Sequence, residues 1–216
     1  MKILITSGGT REPIDGVRVI ANHSTGYTGA QLADAFTHAG DTVTLLCAVG
    51  AARPLDDGIE QLTFVTVNDL DTGCAKLLAE RDFDLMVHAA AVSDFVVSAV
   101  VVNGQRYPAP ITHKLDSTQS LSVELKPGKK ILSHLKSYSK NPALKLVGFK
   151  LTDGANEDEM RVAVEKLLDA GADLVVHNDV QQMHTLRATI WSHVAERVKL
   201  NTMADLAAYL IQFSKS

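Results

Sequence analysis

Residues 2–36, KILITSGGTREPIDGVRVIANHSTGYTGAQLADAF, begin as a strand and end as a helix, and the segment between them decides what kind of sheet the chain builds. KILIT (2–6) is a short apolar run suited to a parallel strand covered on both faces. A dinucleotide loop would open a helix directly after it with G-x-G-x-x-G. Here Gly8-Gly9 is followed by TREPIDGVRVIANHS, which contains Pro13 and Gly16, and the helical pattern starts only at STGYTGAQLADAF. Gly26 and Gly29 hold the spacing of the last two glycines of that fingerprint, so at this second start the chain can approach a phosphate and offer backbone N–H groups and the positive end of a helix dipole. Asn22 and Ser24 stand just before it, aimed at the same crevice. The Walker pattern G-x-x-x-x-G-K-[ST] is absent.

Outward from this segment, strands and helices alternate. A helix near 28–39 stops at Gly40. TVTLLC (42–47) and QLTFVTV (61–67) read as strands, a helix near 69–80 is capped by Asn68 or Asp69, and DLMVHAA (84–90) reads as a further strand. This βαβ series predicts an α/β fold with a doubly wound, mostly parallel sheet. Residues 96–125 differ: VVSAVVV and LSVEL are β-branched, Asn103-Gly104 signals a hairpin, and Pro108 and Pro110 keep the rest out of a central strand. They predict a β-rich flap or arm. The α/β pattern resumes with a helix near 129–139, LKLVGF (144–149), a helix at 156–170 and ADLVVHNDV (172–180). RATIWSH with ERVKL predicts an antiparallel edge hairpin, and 203–213 a closing helix. The whole of 1–216 reads as one domain with the flap as its appendage.

With 46% hydrophobic and 21% charged residues among 216, the chain can bury a full core. A net charge of -4, with both signs dispersed, gives no reason to expect nucleic acid or an anionic membrane as main partner. Cys47 and Cys74 lack metal or disulfide spacing and read as buried thiols. The N-terminal apolar run is too short for a signal peptide, and no run reaches the roughly 18 residues of a membrane helix, so the expected location is the cytoplasm.

Ligands of an open α/β sheet collect at the carboxyl ends of the strands, so TSGGT, HAAAVSD, GFKLTD and HNDV are expected to face one crevice. HAAAVSDF resembles a strand segment of short-chain dehydrogenases, but none of Tyr27, Tyr107, Tyr138 and Tyr209 has the lysine four residues on that this chemistry uses. LLCAVGAARP also lacks an acidic residue to hold a ribose. The eight histidines form no His-x-x-x-His pair; His88, His113 and His177 read as packing or local hydrogen-bonding groups, and Arg11 with Glu12 as a structural pair.

Five segments, TSGGTREPIDGVRVIANHSTG (6–26), AAAVSDF (89–95), HKLDS (113–117), LVGFKLTD (146–153) and ADLVVHND (172–179), together resemble the phosphopantothenoylcysteine synthetase (phosphopantothenate-cysteine ligase) family. The resemblance implies a modified Rossmann-like fold that forms a homodimer. The implied reaction joins 4′-phosphopantothenate and L-cysteine through an acyl-nucleotidyl intermediate in coenzyme A biosynthesis, with CTP or ATP as co-substrate and Mg²⁺. The chain begins at the synthetase portion, so no FMN is implied.

Carried over by position, Gly8, Ser24, Gly26 and Gly29 would lie along the nucleotide phosphates, and Phe149 and Asn178 would border the base. Asn22 would meet the acyl carbonyl, Ala90, Ala91 and Asp94 would contact phosphopantothenate or the metal-phosphate region, and Arg18 would reach across from the second subunit. Lys114 would be the flap lysine that closes on the triphosphate. The chemistry suits these residue types. A flap ammonium that arrives on closure stabilises the charge that builds when a carboxylate attacks phosphorus. Mg²⁺ bridging phosphates needs few protein carboxylates, so Asp94 could serve alone. Asn22 can donate to an oxyanion without competing as a nucleophile. Thr25 replaces a serine usual in the family, Tyr27-Thr28 a pair that often includes a basic residue, Leu115 an isoleucine, and FKLTD a glutamate-threonine ending. Two other readings remain at this point: a non-catalytic Rossmann-type module that senses a nucleotide, and a dehydrogenase-like oxidoreductase using NAD(P).

Overall fold

The computed structural model describes residues 1–112, 114–116, 120–194 and 197–216. In chain order the elements are β1 (Lys2–Ser7), β2 (Arg11–Pro13), β3 (Val19–Ala21), α1 (Tyr27–His38), β4 (Thr42–Ala48), β5 (Glu60–Phe64), α2 (Val67–Glu80) and β6 (Leu85–His88). The flap strands β7 (Phe95–Val102), β8 (Gln105–Pro108) and β9 (Leu121–Pro127) follow. Then come α3 (Leu132–Tyr138), β10 (Lys145–Thr152), α4 (Glu157–Asp169), β11 (Leu174–Asp179), β12 (Ala188–Trp191), β13 (Val198–Leu200) and α5 (Met203–Lys215).

The main sheet has the order β13-β12-β11-β10-β6-β1-β4-β5. Its six strands from β11 to β5 are parallel, and β12 and β13 add an antiparallel edge. The order reverses at β1, which leads outward through β4 and β5 on one side and is joined by β6 on the other. That is the doubly wound Rossmann arrangement, with its switch point between the ends of β1 and β6. Both faces are covered, which is why the strands read as unbroken apolar runs. Ile3, Ile5 and Val87 pack with Phe36 of α1 and Leu206 of α5. Leu4, Met86 and Leu146 pack with Leu70 and Cys74 of α2 and Leu135 of α3 on the other face. Among the described residues no helix is long and apolar enough to cross a membrane.

Several boundaries differ from the sequence reading for local reasons. Strand β5 stops at Phe64 because Thr66, not Asn68 or Asp69, caps α2: its hydroxyl accepts from the Asp69 N–H while the Asp69 carboxylate accepts from the Thr66 N–H. Helix α3 is confined to Leu132–Tyr138, shorter than the span of 129–139 expected. The hairpin β2–β3 lay hidden in the excursion after Gly9, since three-residue strands carry too few alternations to register. Asn103 and Gly104 both take positive φ, 49° and 82°, which matches the right-handed twist of the strands they join. The flap forms a separate sheet of order β8-β7-β9. His113 and Ser117 lie outside the described residues.

Candidate active site

At the end of β1 the chain turns through Gly8, whose φ is +84° and whose missing β-carbon would stand 2.7 Å from the Ala48 Cβ. Gly26, at φ +76°, precedes α1, and its carbonyl accepts from the Ser7 hydroxyl at 2.8 Å. A β-carbon on Gly29 would lie 2.5 Å from Cβ and Oγ of Ser7. Their carbon-side surfaces are therefore spent on packing, and what they can give a ligand is backbone. Helix α1 starts without a side-chain bond from its N-cap Gly26 and without an acid in its first turn; the Tyr27 N–H rests on Thr25 Oγ1 at 3.4 Å, and the N–H groups that follow it can meet an anion.

In front of this corner lies a cleft of about 300 Å³ lined by Gly9, Arg11, Ala21, Asn22, Ser24 and Thr25, among others. The Asn22 amide donates to the Val92 carbonyl at 3.1 Å, tying the approach to α1 onto the segment after β6. That segment runs along the glycine turn: Ala91 N–H donates to the Gly8 carbonyl at 2.8 Å and Thr10 N–H to the Ala91 carbonyl at 3.1 Å. Ala90 N–H donates to Thr6 Oγ1 at 3.3 Å. Backbone bonds hold Ala91 at the switch point, side-chain bonds add Ala90 and Asn22, and Ser24 lines the same cleft.

Arg11 and Glu12 are not paired, contrary to the sequence reading, because successive residues of a strand point to opposite sides. Arg11 enters the cleft beside Gly50, whereas the Glu12 carboxylate turns inward and accepts the Val67 N–H at the start of α2 at 2.8 Å. Burial pushes the Glu12 carboxyl above its ordinary range. A second cation arrives from farther away. Arg187, half-buried and without an ion pair among the described residues, donates from Nη2 to Thr28 Oγ1 at 2.5 Å in the first turn of α1. It brings positive charge to the place where Tyr27-Thr28 supply none. No local signal could have found it, since 159 positions separate the partners.

None of the remaining candidates lines this cleft, although all four loop segments follow the carboxyl ends of the neighbouring parallel strands β1, β6, β10 and β11. Phe149 is half-buried and packs against the core. Asn178 is buried, bonds the Arg187 carbonyl and lines a separate cleft of about 210 Å³ with His177, Thr189, Trp191 and Lys199. Thr152 of FKLTD is occupied structurally: its hydroxyl donates to the Asp179 carboxylate at 2.6 Å and meets His177 Nε2 at 2.8 Å. That hydroxyl and the N–H groups of Gly154, Gln181 and Ala155 hold the Asp179 carboxyl low, while burial lowers His177. His88 is buried against Thr6 Oγ1 at 2.9 Å, and burial pushes it down to about 4, so it is neutral at pH 7. Asp94 is exposed and ion-paired with Lys130. Lys114 is exposed, and Arg18 engages its own chain, bonding Asp15 and the Leu115 carbonyl. Both cysteines are buried; burial drives Cys74 up to about 12.

Residues 1–211 match the family described as DNA/pantothenate metabolism flavoprotein C-terminal domain. The chain belongs to that family. As a member of the DNA/pantothenate metabolism flavoprotein C-terminal domain family it is 34% identical over 181 residues to the coenzyme A biosynthesis bifunctional protein CoaBC of Thermococcus kodakarensis. That match takes in 83% of the chain but only 41% of the relative, so the chain spans about two fifths of the length of such relatives. The crystal structure of the DNA/pantothenate metabolism flavoprotein from Streptococcus pneumoniae is similar over 100% of this chain and 98% of that one, with a TM-score of 0.86 at 29% identity. The C-terminal domain of a CoaBC protein shares the fold, with a TM-score of 0.74 at 23% identity over 99% of this chain and 94% of that one.

Proposed function

We propose that this chain is a phosphopantothenate-cysteine ligase, which activates the carboxylate of 4′-phosphopantothenate with a nucleoside triphosphate and then forms an amide with L-cysteine. The observation that carries the reading is the cleft at the switch point, where Asn22 and Ser24 lie before the start of α1 in a family member related to coenzyme A biosynthesis proteins. The triphosphate lies along the first turn of α1, with its charge met by backbone N–H groups, Arg187 and Arg11. Carboxylate oxygen attacks the α-phosphorus, the bond to the bridging oxygen breaks, and pyrophosphate leaves. Lys114, carried on the flap, meets the charge that develops there. The cysteine amine then attacks the acyl carbon and nucleoside monophosphate departs. Asn22 has a second N–H beyond the one given to Val92, enough to bind the acyl oxygen during that step. Holding both partners on one surface makes the second step effectively intramolecular.

Among the described residues no three His, Cys, Asp or Glu side chains are grouped to hold a metal ion. Mg²⁺ would therefore ride on the phosphates with Asp94 as its protein carboxylate, after Lys130 releases it, and would spread the triphosphate charge. In our reading the active protein is a homodimer, Phe149 and Asn178 are on the base side, and CTP and ATP are the two candidate nucleotides. The test is incubation with 4′-phosphopantothenate, cysteine, Mg²⁺ and either CTP or ATP. We expect monophosphate and pyrophosphate in equal amounts with one of them; no monophosphate with either overturns the reading.

A further inference from the structure

The turn between β2 and β3 grips the flap through one carboxylate and one guanidinium. The Asp15 side chain is fully buried. Its Oδ1 accepts the N–H groups of Val17 and Arg18 at 2.8 and 2.7 Å, closing the turn. Its Oδ2 accepts the Leu115 N–H and Arg18 Nη1, each at 3.2 Å, and Arg18 Nη2 donates to the Leu115 carbonyl at 3.2 Å. Both backbone polar groups of Leu115 are thereby satisfied by side chains about a hundred positions earlier. The Ile111 N–H adds a bond to the Ile14 carbonyl at 3.1 Å, and Leu115 itself is buried with Val100, Val102 and Ile111, against which Ile14 packs.

A buried carboxylate is costly unless its oxygens are met, and here four donors meet them. The arrangement does more than bury a loop, since both charged groups address the backbone of a single residue, the one next to Lys114. The hairpin that supplies them ends at Ala21, directly before Asn22. We infer that Asp15 and Arg18 are positioning residues that clamp the backbone of Leu115, so that Lys114 is presented from an anchor on the same hairpin that delivers Asn22. The bonds of Arg18 to Asp15 and to the Leu115 carbonyl run within one chain. The backbone N–H groups of Arg18 and Val17 hold the Asp15 carboxyl low, which keeps it ionised. What Lys114 does once positioned rests on the ligase reading; the clamp does not.

Asp15→Asn keeps an acceptor for the turn but sets an amide donor against the Leu115 N–H, and Arg18→Lys keeps the charge without the fork. We expect each variant to slow pyrophosphate release from phosphopantothenate and nucleotide by roughly 10- to 100-fold, with the nucleotide KM changed less than about threefold. In Asp15→Asn, amide formation from synthetic acyl-nucleotide and cysteine should stay within about threefold of wild type, because that step does not use Lys114. Equal losses in both half-reactions, or none in the first, overturn the positioning role. Amide hydrogen exchange supplies a readout independent of activity. The Leu115 N–H should exchange faster in Asp15→Asn while the amides of β1 and β6 are unchanged, and an unaltered Leu115 rate overturns the clamp even if the protein proves not to be a ligase.

Discussion

The corner beneath α1 and the flap are built on different terms. At the corner, added β-carbons on Gly8 and Gly29 would fall within 2.8 Å of neighbouring atoms, and the surrounding strands are buried on both faces. In the flap, every residue of β8 and most of β9 are exposed. Among the described residues the attachment runs through a small apolar cluster, Val96 against the main core, the Ile111–Ile14 backbone bond and the Asp15–Arg18 clamp. Close packing leaves the first region one arrangement. Sparse apolar contact leaves the second free to shift at modest cost. The proposed ligase reaction calls for both: fixed donors where a triphosphate would rest, and a cation that can arrive late.

The largest effect should come from the flap and leave the fold intact. Lys114→Gln is expected to lower acyl-nucleotide formation at least about 10³-fold, whereas Asn22→Asp should let the acyl-nucleotide accumulate, visible by mass spectrometry. Both variants should melt with wild type, and wild-type turnover in both would remove the assignment. The next effect belongs to the corner. The buried His88 ring has its pKa depressed from 6.5 to about 4, so the unfolded chain binds the extra proton. Stability from this group is complete above pH 6.5 and is lost as pH falls toward 4, on the order of 3 kcal/mol in all. Denaturant titrations should show that loss in wild type and not in His88→Asn; parallel pH profiles would place the sensitivity elsewhere.

Gly29→Ala sharpens the contrast from within the corner. Its β-carbon collides with Ser7, and the expected loss is about 1–3 kcal/mol in urea unfolding, after the usual helix gain of alanine over glycine. A stabilised variant would mean that α1 can lift from β1. At the small end, Arg106→Ala removes an exposed cross-strand pair with Glu124 in the flap, and global stability should change by less than about 0.5 kcal/mol. A larger loss would show that the flap is part of the cooperative core.

Much of the fold was legible because its signals are local. The parallel strands other than the edge strand β5 are short, mainly apolar runs, Gly40 ends α1, and Asn103-Gly104 supplies the two positive φ angles of its turn. Asn22 and Ser24 could be singled out for the same reason, since they directly precede a helix start. The β2–β3 hairpin was missed because three-residue strands are too short for alternation to show, and the Thr66 cap because Asn68 and Asp69 are equally plausible caps by residue type.

The sequence by itself determined the α/β class, the order of the strands along the chain and the place where a second helix start follows Gly8-Gly9, because hydrophobic period and turn residues act over a few positions. Only the tertiary structure decided that Glu12 serves α2 while Arg11 faces the cleft, that Arg187 brings charge to Thr28, and that Asp15 and Arg18 hold Leu115. Those contacts join residues 55 to 159 positions apart. A charge or a carboxylate carries no mark of its distant partner until the sheet has closed the chain upon itself.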